Sequence, residues 1–382
     1  MLEQNCEILA PEPLKEKTHF RLYPTREPAI LALLSTFAVV CFGAVSGLSS
    51  IYHAQQKSLG TYWFNRGASD LKQHNFIHAA TEFRTALLYS RDNYSYQLNL
   101  AEALLGQKRI EEASAYLNNL WEREPENGLV NLELARIAAG KQEPDQALRY
   151  YHNAIYATWP GDRETARQQA RLELIAYLLK VGDKPQAQSE LIALAANLGD
   201  DAARLTHIGD LFIQAQDYND ALATYHRALS VSRKNPAALA GAGHAAFELG
   251  RYRIAEQYLQ SATADRDADP EIAAQLETAG LVLRMDPFRP QIAAAQRDRI
   301  VMEAFSAAGE RLSSCAALAP LAETWTKLKP EITERGLRRN PDLPGTAMEL
   351  VFNIERQANP ACGAATATDH ALLLIARLHE GN

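Results

Sequence analysis

DAARLTHIGDLFIQAQDYNDALATYHRALSVSRKNP, residues 201–236, decides the fold of this chain. With Ala202 counted as position 1, aliphatic residues stand at 4 and 7 (Leu205, Ile208), a small one at 8 (Gly209) and an aromatic at 11 (Phe212). Position 17 is Tyr218, position 20 Ala221, position 24 Tyr225 and position 27 Ala228. The spacing of three and four predicts two amphipathic helices joined by a tight turn. Small residues at 8, 20 and 27 let the two helices approach closely, and the bulky residues fill the gaps left around them. One such hairpin cannot bury its apolar face alone, whereas stacked copies can, so a repeat is expected.

The repeat is visible over six units. The alanine of position 20 recurs as Ala79, Ala113, Ala147, Ala187, Ala221 and Ala255, at steps of 34, 34, 40, 34 and 34 residues. The bulky residue four later recurs as Phe83, Leu117, Tyr151, Leu191, Tyr225 and Leu259. Position 27 departs from a small residue at Leu120 and Leu194. The six extra residues of the long step, Asp162–Arg167, read as a longer first helix in repeat four. This order of bulky and small residues resembles the tetratricopeptide repeat (TPR) signature over residues 60–269. The resemblance implies an all-α chain, a TPR-type superhelical solenoid of about six helical hairpins.

Upstream, residues 1–28 mix charge with Pro11, Pro13, Pro24 and Pro28 and are expected to form a flexible tail. Residues 29–52 carry no charge, and at 1.5 Å per residue such a run crosses about 30 Å of hydrocarbon. A transmembrane helix is the expectation; a core helix would show a polar face, and the long tail argues against a cleaved signal. Lys15, Lys17, Arg21 and Arg26 precede the run while Lys57 and Arg66 follow it, which places the N-terminus in the cytoplasm and the repeats outside it, in a periplasm or equivalent. Gly43 and Gly47 form a G-x-x-x-G, a face through which two spans could pair into a homodimer. Tyr52, Tyr62 and Trp63 follow the apolar run, although Trp63 also occupies position 4 of repeat one, where packing is its expected work.

The family resemblance further implies that positions 2, 5, 6, 9, 12 and 13 of each first helix line a concave groove. Carried onto this sequence, those positions give Asn65 and Lys72 in repeat one, Asn99 and Glu102 in two and Arg136 in three. Repeat four gives Glu173 and Lys180, repeat five Asp210 and Gln214, and repeat six His244 and Glu248. Mixed charge suits an extended peptide or a partner helix, the alternative being an ordinary solvated face. The carboxylate clamp of TPR co-chaperones is not matched, since Phe64, Ala68, Leu98 and Glu102 stand where its Lys and Asn residues are needed.

Beyond residue 269 the register fades. A helix is expected over 271–285, a long one over 291–317 with Ile300, Ala304, Ala308 and Leu312 on one side, and then short helices between Pro320, Pro330, Pro341, Pro344 and Pro360. A last helix, capped by Thr368-Asp369, carries Leu372 and Ile375, and residues 270–382 are expected to form a helical cap over the open end of the solenoid. Cys315 and Cys362 are either bonded or two buried thiols; export permits the bond.

Chemistry is thinly represented. The sequence holds no G-x-S-x-G, phosphate loop, dinucleotide fingerprint or H-E-x-x-H, so no cofactor and no enzymatic activity are expected, and a catalytic C-terminal region is a remote alternative. His74 and His78 are four apart but lack further ligands nearby. A net charge of −7 with no basic block argues against nucleic acid. The reading is a non-enzymatic, membrane-anchored scaffold that binds a protein partner, in cell-envelope secretion, assembly or export; a cytoplasm-facing receptor is the alternative.

Overall fold

The computed structural model describes residues 27–264, 269–362 and 366–380. The flexible tail expected at 1–28 lies outside them except for its last two residues. Among the described residues the chain is helical, with no strand and one isolated bridge, between Asn127 and Thr158. It divides into two compact units, residues 1–125 and 126–382.

The first unit holds α1 (Glu27–Lys72), α2 (Phe76–Tyr89), α3 (Tyr94–Gly106) and α4 (Ile110–Arg123). α1 is a single helix of 46 residues. The sequence treats the apolar run at 29–52 and the first helix of repeat one as separate elements; the structure joins them. No proline falls between them, and Gly60 sits within the helix with Tyr89 and Tyr96 beside it. The apolar part is long and apolar enough to cross a membrane by length and composition, and none of it is buried. α1 and α2 form the first hairpin and α3 and α4 the second, around a core of Ala79, Phe83, Leu100, Leu104 and Ala113.

The second unit begins with α5 (Gly128–Gly140), α6 (Pro144–Tyr156), α7 (Arg163–Val181) and α8 (Lys184–Ala196). It continues with α9 (Ala202–Gln214), α10 (Tyr218–Val231), α11 (Pro236–Glu248) and α12 (Tyr252–Ala262). These pair as four consecutive hairpins, and α7 has 19 residues where the other first helices of this unit have 13, which absorbs the long step. The periodic positions explain the packing in both units. All six alanines of position 20 are fully buried, as are Phe83, Leu117, Leu191 and Leu259 at position 24. A Cβ on Gly67, Gly209 or Gly243 would lie 2.8, 2.5 and 2.6 Å from the side chains of Phe83, Tyr225 and Leu259, so the bulky residue of position 24 lies on the bare backbone of position 8.

Two devices end the helices. Each first helix from the second repeat onward starts at an Asn or Asp whose side chain accepts a backbone N–H: Asn93, Asn127, Asp162, Asp201 and Asn235. Inside each hairpin the residue at position 15 turns the chain in the left-handed region, at His74, Lys108, Gln142, Gly182, Gln216 and Gly250.

The rest of the second unit is α13 (Pro270–Met285), α14 (Ala294–Ser314), α15 (Ala319–Leu328), α16 (Glu334–Arg339), α17 (Leu343–Ala361) and α18 (Ala367–Leu378). Tyr252 of the last hairpin shares a core with Ala279, Val282, Val301, Leu372 and Ile375, the last two fully buried. Two expectations fail here. The prolines do not chop 343–361, because Pro344 sits in the first turn of α17 and Pro360 in its last, where neither interrupts the ladder between. The N-cap of α18 is Thr366, not Thr368-Asp369, and it forms a capping box with Asp369. Within this core Glu355 (2% exposed), Asp369 (5%) and Arg311 (8%) lie together, with Arg311 Nε 3.9 Å from Asp369 Oδ2. Burial first, and Asp369 second, push the Glu355 carboxyl up to about 7, against the pull of Arg311.

Candidate functional site: a cleft on α9, α11 and α13

The concave candidates of the second unit are not equivalent. Arg136 of α5 donates Nε and Nη2 to the two carboxylate oxygens of Glu173 on α7, at 2.8 and 2.7 Å, and Nη1 to Glu133 at 2.5 Å. The Arg136 hydrogen bonds, then its charge, hold the Glu173 carboxyl below its usual value. This forked pair ties repeat three to repeat four and leaves little of either residue for a ligand. Lys180 and Glu248 are exposed. In the first unit Asn65, Lys72 and Glu102 are exposed, and the Asn99 amide donates to the Ser95 carbonyl at 2.9 Å.

Asp210, Gln214 and His244 come together. They line one cleft of about 480 Å³ whose floor is Ala237, Ala240 and Gly241 of α11, with Ile213 of α9 on one side and Ile272 of α13 on the other. These floor residues are positions 2, 5 and 6 of repeat six, the groove positions that sequence reading passes over because they carry no polar group. Gly241 is small for a packing reason: a Cβ there would meet the Tyr225 ring, which already lies on Gly209. Held between two glycines, Tyr225 passes from the hairpin core to the cleft and donates its hydroxyl to Asp210 Oδ1 at 2.6 Å. Burial, and then this hydrogen bond, push the phenol well above its usual range, so it acts as a neutral donor.

The far wall comes from α13. Asp269 and Glu271 stand at its start and Gln275 one turn on, its amide 2.9 Å from His244 Nδ1. Sequence reading ended the repeats at 269 and so missed this wall. The signal was present: Asp269-Pro270 repeats the cap and proline of Asn235-Pro236 one 34-residue step later, and Asp269 accepts the Glu271 N–H as Asn235 accepts that of Ala238. The cleft brings together hydrogen-bonding groups and carboxylates around a small apolar floor. No Ser, Thr, Cys or Lys nucleophile is among its described residues.

Three other candidates are placed as follows. His74 is the left-handed turn residue of repeat one and packs against Phe76, which accounts for it without a ligand role. Gly43 and Gly47 lie in the apolar part of α1, and a Cβ on either would meet nothing within 4 Å. Cys315 and Cys362, at the ends of α14 and α17, are joined as a disulfide with Cα atoms 5.7 Å apart.

The tetratricopeptide repeat family model matches residues 70–137 and 212–277. The chain carries tetratricopeptide repeats. Among solved structures, this TPR protein is similar to PilW, described as a widely conserved type IV pilus biogenesis factor, with 16% identity and a TM-score of 0.39 over 57% of this chain and 98% of that one. It is similar to YrrB, a TPR protein with an unusual peptide-binding site, with 16% identity and a TM-score of 0.36 over 50% and 95% of the two chains. The C-terminal part of a TPR repeat-containing protein from Cytophaga hutchinsonii gives 12% identity and a TM-score of 0.43 over 62% and 92%. No curated protein matches the sequence.

Proposed function

We propose that this TPR protein is a non-enzymatic scaffold, held to a membrane by one N-terminal span, whose groove recruits a protein or peptide partner for cell-envelope secretion, assembly or export. The observation that carries the reading is the cleft on α9, α11 and α13: groove positions of two successive repeats and one further helix converge there on a small apolar floor. An extended segment fits such a floor because backbone can approach where side chains are short, while the surrounding polar groups fix its direction. The span occupies the apolar part of α1. The tail lies in the cytoplasm and the repeats outside it, a compartment in which the Cys315–Cys362 bond persists. Gly43 and Gly47 give the span an open face for a second copy.

Two measurements test this. A reporter active only after export, fused behind Asn382, is expected to be active; activity of a cytoplasm-only reporter at the same position instead reverses the topology. A photo-crosslinking residue at Gln214, in the cleft, is expected to yield a discrete adduct in cells that one at exposed Tyr156 does not. Equal labelling from both positions removes the groove from the function.

A further inference from the structure

We infer that the occupant of the cleft on α9, α11 and α13 is a short extended segment bearing Lys or Arg, an inference that rests on the groove reading above and adds the sign of the partner. The floor of Ala237, Ala240 and Gly241 belongs to the middle helix, so a ligand lying on it is flanked from both sides. On one side stands Asp210 of α9; on the other stand Asp269 and Glu271 at the start of α13. No Lys or Arg is among the described residues lining the cleft, and His244 is the one ionisable group there that can become cationic. Elsewhere in the same groove the charges cancel locally: Arg136 neutralises Glu173 and Glu133 through direct hydrogen bonds. Among the described residues the hydrogen bonds to these carboxylates come from neutral donors, the Tyr225 hydroxyl at Asp210 and the Glu271 backbone N–H at Asp269.

Three like charges around an apolar floor repel one another, and a guanidinium or ammonium among them relieves that repulsion while its methylene stem covers the alanines. An acidic segment would add a fourth like charge, and a neutral one would leave the three uncompensated. The small floor limits the occupant further. Only backbone and short side chains reach Gly241, so the segment lies extended with its basic side chain directed to a wall. A helix, whose side chains hold its axis about 5 Å off a surface, would keep its backbone away from Gly241.

The test uses the full chain in a non-ionic detergent and three labelled peptides of about nine residues, alternating Ala with Lys, Gln or Glu, read by fluorescence anisotropy. The lysine peptide is expected to bind about ten-fold or more tighter than the glutamine peptide, which corresponds to two exposed ion pairs, and to weaken as salt rises from about 50 to 500 mM. The Asp210→Asn/Glu271→Gln variant keeps both shapes and is expected to bind the lysine and glutamine peptides alike. Ala240→Arg, which places bulk and a cation on the floor, is expected to abolish lysine-peptide binding with an unchanged helical circular dichroism spectrum. Glutamine or glutamate peptides that bind as tightly as the lysine peptide and are displaced by Ala240→Arg overturn the charge inference and leave the groove reading standing. Failure of all three peptides to bind overturns both.

Discussion

At the scale of the residue, the missing side chain of Gly209 lets Tyr225 cross from the interior of one hairpin to the groove of the next. Gly209→Val is therefore expected to force the Tyr225 ring off both glycines and lower stability by about 1–3 kcal/mol, measured by urea unfolding, the range for overfilling a packed core. The same substitution at Gly140, where nothing lies within 4 Å, is expected to cost far less. Glu355 shows a different economy. Its carboxyl is pushed up to about 7 by burial and by Asp369, so the folded state holds a proton that the unfolded chain releases from about pH 4.3 upward. The stability it contributes is thus full below that lower value and falls as pH rises through about 7, by at most about 3 kcal/mol. Glu355→Gln is expected to remove this slope and to be more stable than the parent at pH 8; equal slopes in thermal melts at pH 5 and 8 would contradict it.

At the scale of the element, the hairpins show how a sequence encodes turns it does not advertise. Four of the six left-handed turn residues are His74, Lys108, Gln142 and Gln216, which carry a Cβ where glycine is easier. Gln216→Gly is expected to raise stability by about 0.5–1 kcal/mol, and Gly250→Gln to lower it by a similar amount, in paired chemical denaturation. The period of 34 places α2 to α12 from sequence because each of those helices must bury the same face against the same neighbour. It does not place α14 to α18, whose partners lie far apart in the chain: the core there joins Val301, Val351 and Leu372, and nothing in the local spacing of any one helix names the others. Prolines mislead in that region for a related reason, since a first-turn proline such as Pro344 looks in sequence like a helix break.

At the scale of the whole molecule, the candidate site was half legible. Asp210, Gln214 and His244 follow from repeat positions, whereas Gly241 and Ala240 carry no chemistry to notice and Glu271 belongs to a helix that keeps the cap and proline of the repeat but not its small residues at positions 8 and 20. The disulfide joins cysteines 47 residues apart, a separation that sequence alone leaves open. With four cysteines in the chain, thiol titration of the denatured, unreduced protein is expected to count two, and four after reduction. Closing a loop of that length corresponds to about 4 kcal/mol on the loop-entropy estimate, so Cys315→Ser/Cys362→Ser is expected to be less stable by that amount or less in urea unfolding. Finally, α1 carries the apolar segment and the opening hairpin on one uninterrupted shaft. A shaft transmits rotation, so each alanine spliced in after Lys57 swings that hairpin by about 100° around the axis and lifts it about 1.5 Å. Two spliced residues point it nearly backward, and seven return it to within about 20° of its first heading some 10 Å farther out, so activity plotted against insert length should oscillate with the helical pitch.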